Sequence, residues 1–328
     1  MKTSLYNNAH IFSGLGFALI FGFSFFFTAE AVTHIDPFHF LSFRFILATL
    51  VLLALKALKV ISFPLDTGFL DREVLLVVLL QPVLYFAAET TGIMLTSSSE
   101  AGLMIALIPI FVAIFSGVFL KEPPGKLQIP FILLSVLGVS LIVVMQGRVN
   151  LTANYLGSFL LMTAAVTAAA YNLLTRRLMK RIPPLSLTFY MMAGGALAFT
   201  LTALTRLLVE GNAALYFLPL QDNRVFISLL YLGIFSSVAA FFLINFTLAK
   251  VTAPQAAVFA NLSTVVAVAA GVLLRNEAFY LYHLLGGLFI IIGVAGTNYF
   301  GGKKQDRRKS MENYVGETCT DRNGGSPL

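Results

Sequence analysis

One constant offset lays the middle of this chain on its own C-terminal part. It carries Phe86 onto Phe241, Ala101 onto Ala256, Leu107 onto Leu262, Glu122 onto Glu277, Leu133 onto Leu288, Gly138 onto Gly293 and Val139 onto Val294. The match runs without a gap from Val74 to about Val144, and apolar stretches, charged joints and glycines keep their order in both copies. The apolar stretches are long enough to cross a lipid bilayer as helices. Each copy holds five of them, and an odd number forces the second copy upside down in the membrane. The expected fold is therefore an all-α integral membrane protein with ten transmembrane helices in two inverted five-helix repeats. Residues 1–9 form a cytosolic N-terminus, 10–146 the first repeat, 147–300 the second, and 301–328 a basic, disordered cytosolic tail.

Composition bears on what else is possible. The chain is 58% hydrophobic and 11% charged, against about 25% charged in a soluble domain. The longest polar segment is Gly301–Leu328, so there is no room for a soluble catalytic domain. The first apolar stretch lacks a small-residue cleavage site and reads as a retained span. The single cysteine, Cys319, excludes an intramolecular disulfide and a cysteine-based metal site.

The expected spans are 10–31, 37–57, 74–95, 98–120, 126–146, 155–178, 184–207, 225–248, 253–274 and 281–300. Asp36-Pro37 places an N-cap residue before a first-turn proline, and Pro183-Pro184 does similar work for the seventh span. Ser97 with Glu100, and Thr252 with Gln255, are capping boxes at the fourth and ninth spans. With the N-terminus inside, the outer side receives only Arg148, Arg206, Arg224 and Arg275. Arg44 lies within a span, and the other 17 of the 22 lysines and arginines fall inside. That bias puts both termini in the cytoplasm. It also assigns the net charge of +7 to membrane orientation and not to nucleic-acid binding. The run from Lys303 to Lys309 fits an anchor on anionic membrane lipid.

The order of short motifs then narrows the reading. The first span carries Phe21-Gly22-Phe23-Ser24. The second carries Pro37, then Ser42-Phe43-Arg44-Phe45 and Ala48. The fourth carries Ala101-Gly102 and Leu107-Ile108-Pro109-Ile110-Phe111, ending in Leu120-Lys121-Glu122, and the fifth Leu137-Gly138-Val139. The second half repeats this with Ala256, Asn261-Leu262-Ser263, Glu277, Gly286-Gly287 and Ile292-Gly293-Val294. Over about residues 10–300 the arrangement resembles the EamA family of the drug/metabolite transporter superfamily. Two positions depart from it: Phe21 stands where the family often has Trp, and Thr264 where its mate is Pro109 and the family usually has Pro. The resemblance implies a central cavity lined by spans 1–4 and 6–9, with spans 5 and 10 supporting. It also implies alternating access and a small polar metabolite as cargo, such as an amino acid or a nucleoside-like solute, moved outward across the cell membrane.

Arg44 is the first candidate for a substrate-binding or gating residue. It lies about seven residues below Pro37, roughly 10 Å in from the outer boundary at 1.5 Å per residue. An arginine at helix centre costs about 2.5–3.5 kcal/mol on insertion scales, so it needs a partner or a wet cavity. Glu89 in the third span lies at nearly the same depth, and an Arg44–Glu89 pair is the simplest neutralisation. Two readings stay open: a site for a substrate carboxylate or a proton-linked gate, and a structural pair locking spans two and three. A carboxyl group in low dielectric can carry a proton at neutral pH, which suits proton coupling, whereas a salt bridge would hold it ionised. Gln81, Tyr85, Tyr171, Asn172, Tyr190, Asn245 and Asn261 lie within spans and together can hydrogen-bond a small polar solute at the midplane. Taken singly, each can equally bond a neighbouring helix. Glu30 and Thr28 near the outer end of the first span are candidates for an outer vestibule, or for a solvated helix end.

Other functions have less support. There is no Walker A sequence to drive transport with ATP. His10, His34, His39 and His283 do not form a metal site, His34 and His39 read as solvated boundary residues, and no cofactor or enzyme activity is expected. A lipid-moving protein or a receptor without solute transport is the alternative. Gly286, Gly287, Gly293 and Gly296 allow close helix contact in the tenth span, as internal packing or a dimer seam, so monomer and homodimer both stand.

Overall fold

The computed structural model of the chain describes residues 9–64, 71–95, 104–145, 155–209, 211, 216–275 and 278–301. Among these there is no strand. The long helices, in chain order, are α1 (Ala9–Ala31), α2 (Pro37–Ala57), α3 (Arg72–Leu95), α4 (Ile108–Phe119), α5 (Gln128–Met145), α6 (Tyr155–Leu178), α7 (Pro184–Val209), α8 (Asn223–Lys250), α9 (Ala253–Leu274) and α10 (Leu281–Gly301). Nine are long and apolar enough to cross a membrane. The exception is α4, with 12 residues, where a crossing needs about 20. The fourth span was expected to begin at 98, and the Ser97–Glu100 capping box falls outside the described residues, as do Cys319 and the basic tail. Leucine, isoleucine and phenylalanine side chains cover much of the exterior, Phe12, Leu197 and Leu201 among them, as suits a lipid-facing surface.

Helix starts follow their sequence signals. Asp36 caps α2 by accepting from the His39 N–H at 3.0 Å, so the orphan donors of the first turn are answered by a side chain. Gln255 Oε1 accepts from the Thr252 N–H at 3.3 Å and from its hydroxyl at 2.8 Å. At α5 the Gly125 N–H donates to Gln128 Oε1 (2.6 Å), and at α10 the Tyr280 N–H donates to His283 Nδ1 (3.1 Å). The repeat offset lays these two contacts on each other.

Two helices contain π segments, and one of them is kinked there. In α3 the segment is Leu79–Leu84, where Gln81 leaves helical geometry (φ −145°, ψ 107°) ahead of Pro82. Proline supplies no N–H and crowds the preceding turn, which accounts for the kink. In α8 the segment is Tyr231–Ala240 and has no proline. The main helix contacts are α2 with α7, α1 with α9, α3 with α6, α1 with α8, and α4 with α6. Phe45, Leu52, Leu187, Met191, Met192 and Phe241 form a buried core between α2, α7 and α8. α5 and α10 meet backbone to backbone: a Cβ on Gly138 would lie 2.5 Å from Gly286 O, and one on Gly293 2.6 Å from Phe131 O. The glycines of α10 at 286, 293 and 296 thus seat α5 within the chain.

Candidate functional site

Arg44 projects from α2 into the interior and is 6% exposed. Its Nε donates to Ser237 Oγ at 2.8 Å and its Nη2 to Ser236 Oγ at 3.0 Å, both on the π segment of α8. The guanidinium also lies 5.1 Å from the Phe86 ring centre and 5.8 Å from that of Phe45. Glu89, half-buried on α3, accepts from the Tyr85 hydroxyl at 2.8 Å. No Arg44–Glu89 ion pair within 4.0 Å forms, so the simplest neutralisation expected from sequence is not what the structure builds. Glu89 still lies near enough to act electrostatically on Arg44. Two of the five guanidinium donors are therefore held by hydroxyls, and Glu89 acts on the charge from beyond contact distance.

One turn further along α8 from these serines, Phe241 meets Phe86 (ring centres 6.5 Å apart) and Phe21 (5.8 Å). Another turn on, Asn245 is fully buried. Its Oδ1 accepts from Tyr171 OH at 2.7 Å and its Nδ2 donates to Thr188 Oγ1 at 2.9 Å, joining α6, α7 and α8. Phenylalanines thus stand between two polar clusters, one around Arg44 and one around Asn245.

The remaining candidates are scattered. Gln81 sits at the α3 kink, 7% exposed, with its Oε1 unpartnered among the described residues. Asn172 donates to the Ala168 carbonyl of its own helix (2.8 Å). Tyr190 is buried in the α2–α7 core. Asn261 turns away to α5 and donates to Ser135 Oγ at 3.1 Å. Thr28 is half-buried near the end of α1. An open apolar depression between α1 and α8, lined by Ala9, Phe12, Ser13, Phe242, Leu243 and Phe246, lies away from both polar clusters.

Ser236 and Ser237 are not among the candidates that the sequence singled out. Their signal is present in it, because the repeat offset lays them on Gln81 and Pro82. Two charged clusters are likewise additions from the fold. Asp71, the N-cap of α3, is gripped by Arg181 at 2.5 and 3.2 Å, and Arg181 reaches Glu73 at 2.5 Å, with Arg177 3.6 Å from Glu73. The hydrogen-bonded guanidinium holds the Asp71 carboxyl below the usual carboxylate range, and the same contact raises Arg181. Around the far end of α7, where α1 ends and α2 and α8 begin, Glu30 pairs with Arg224 (3.5 Å), Asp36 with Arg206 (3.4 Å), and His34 with Asp222 (3.2 Å). His39 is not the solvated boundary residue expected: it is 7% exposed, packed on Phe43 and Tyr216. Tyr216 lies in the α7–α8 connection and packs against α2, so depth along α2 alone could not foretell this burial.

A family profile described as the EamA-like transporter family matches residues 8–144 and again 155–299. The chain belongs to the EamA-like transporter family. It is 35% identical over 299 residues to an uncharacterized transporter of Bacillus subtilis strain 168, YcxC, covering 89% of this chain and 93% of the relative. It is 29% identical over 217 residues to an uncharacterized transporter of Archaeoglobus fulgidus, covering 64% of this chain and 71% of that one. A solved crystal structure aligns with a TM-score of 0.72 at 17% identity, covering 88% of this chain and 98% of its own, and shares the fold. The protein is a multi-pass membrane transporter.

Proposed function

We propose that this transporter is a secondary carrier that exports a small polar metabolite, such as an amino acid or a nucleoside-like solute, across the cell membrane by alternating access. Its ten helices, α4 included, form two inverted five-helix repeats with both termini in the cytoplasm. Several observations support the inverted arrangement. The family profile matches twice. The helix contacts exchange in pairs when the halves are swapped: α1 with α9 becomes α6 with α4, and α1 with α8 becomes α6 with α3. The contact of Gly138 with Gly286 becomes that of Gly293 with Phe131. Phe86 touches its own repeat mate Phe241, as residues beside a pseudo-two-fold axis do.

The observation that carries the reading is the buried Arg44, bonded to hydroxyls on the π segment of α8 while Glu89 acts on it without contact. A guanidinium with spare donors and a carboxylate with a spare oxygen can each take a solute group. Either can also give up its present partner when a π segment bends. Glu89 is the group we assign to proton coupling. Tyr85 positions it, and Gln81 with its unpartnered oxygen offers an acceptor beside the α3 kink. The Asn245–Tyr171–Thr188 cluster, with Asn172 and Tyr190 nearby on the same helices, forms the cytoplasmic half of the path beyond the phenylalanines. Glu30 and Thr28 flank the outer mouth. Asn261, bonded to α5, is assigned a packing role.

The test is transport in proteoliposomes with a panel of radiolabelled amino acids and nucleosides, with and without a pH gradient. Arg44→Ala is expected to abolish transport, and Glu89→Gln to remove its dependence on the gradient. Unchanged transport in both variants would reject the site.

A further inference from the structure

We infer that the two ends of the molecule are closed by a matched pair of ion latches, and that the latch built on His34 opens when its imidazole loses a proton. At one end Asp71, the N-cap of α3, accepts from the Glu73 N–H at 2.8 Å and is gripped by Arg181 from the α6–α7 joint. At the other end Asp222, the N-cap of α8, accepts from the Arg224 N–H at 2.8 Å and meets His34 Nδ1 from the α1–α2 joint at 3.2 Å. Swapping the halves exchanges cap for cap and joint for joint. Each latch ties down the first turns of a helix whose π segment follows directly. Releasing one frees a short lever, Arg72–Val78 in α3 or Asn223–Leu230 in α8, to swing about that segment.

The two latches differ in the cation. Arginine keeps its charge throughout the physiological range. Histidine is the side chain whose charge changes between about pH 5 and 8. Attraction between His34 and Asp222 is therefore full while the imidazole is protonated and falls as pH rises, when the neutral ring can keep at most a hydrogen bond. Among the described residues, the charged and titratable groups at this end of the bundle are Glu30 from the end of α1, Asp36 and His39 from the start of α2, Arg206 from the end of α7, and Asp222 and Arg224 from the start of α8. Arg224 faces Glu30 and Arg206 faces Asp36, so Asp222 is the carboxylate that His34 meets. The role of the latch as the outer gate rests on the transport reading above. Its opening does not.

The absence of tryptophan gives a clean optical test in the full-length chain. In a Cys319→Ser background, bimane is attached at Val32→Cys and quenched by Phe226→Trp across the His34 latch. A second protein carries bimane at Lys180→Cys and Leu75→Trp across the Arg181 latch. Val32, Phe226 and Leu75 are exposed and Lys180 lies on the exposed α6–α7 joint. Between about pH 5.5 and pH 8, quenching across the His34 latch is expected to fall about twofold or more, while the Arg181 pair stays constant. His34→Lys should hold the strongly quenched state at both pH values, and His34→Gln the weakly quenched one. Equal quenching at both pH values in the parent protein, or a pH response that survives in His34→Gln, overturns the latch. Loss of transport for every solute in a protein that still shows the optical response would instead count against the carrier reading alone.

Discussion

α3 and α8 correspond in the two copies, and each carries a π segment at the corresponding place, but only α3 is kinked there. In α3 the break is covalent: Pro82 withholds an N–H, and Gln81 leaves helical geometry whatever surrounds it. In α8 the same positions are Ser236 and Ser237, whose hydroxyls accept from Arg44 of α2. The second difference lies further along: Glu89 of α3 corresponds to Ile244 of α8, so the carboxylate exists in only one half. The kinked helix carries the titratable group, and its counterpart carries the hydroxyls that receive the cation. The duplicated frame thus differs in charge between its halves, with Arg44 and Glu89 in the first and the accepting Ser236 and Ser237 in the second.

The comparison breaks most severely if the contact is removed. Ser236→Ala with Ser237→Ala leaves a buried guanidinium without its two acceptors and should cost about 3 kcal/mol, read as lowered thermal stability in detergent. Adding Arg44→Leu should return part of it, since the orphaned charge is then gone. A smaller loss is expected at Asn245→Ala, which orphans the buried Tyr171 hydroxyl, at about 1–2 kcal/mol. Thr90, at the corresponding place in α3, should tolerate alanine, and equal losses at the two sites would argue that the halves are not specialised there. Pro82→Ala tests the α3 kink. Stability should change by about 1 kcal/mol or less, while hydrogen exchange over Leu79–Leu84 slows by about tenfold as a regular turn becomes available. No change in exchange would mean that packing, Gly195 against Pro82, imposes the kink instead. Arg181→Gln should have the smallest effect on stability, about 0.5 kcal/mol, because the pair is largely solvent-exposed. With Asp71 held below the usual carboxylate range, that latch is present at neutral pH and is lost only as pH falls through its lowered value. Quenching across it should therefore stay flat down to about pH 5.

Much of the frame is legible in the chain itself. The apolar period, the caps at Asp36 and Thr252, and the offset joining Gly138 to Gly293 are local or repetitive signals, and apart from the start of α4 the described helices begin and end close to where those signals put them. The site is legible only as a set of residues. Depth along a helix places Arg44 and Glu89 at one level, but it cannot say which way each side chain turns. Arg44 therefore reaches α8 and not Glu89, and Asn261, mid-span like Tyr85, reaches α5. The charged joints are legible as charges only. That Arg181 meets Asp71, or His34 meets Asp222, follows from which joints share an end of the bundle, and that is a property of the assembled fold.

The interlock of α5 with α10 leaves no space for one methyl group at Gly138 or Gly293. Two backbones joined so closely resist sliding and tilting against each other, so on the proposed alternating-access reading this seam is the fixed keel about which α3 and α8 would move. Reporters placed on the outward faces of these two helices, at Leu137 and Leu288, should keep a fixed separation through the whole working cycle.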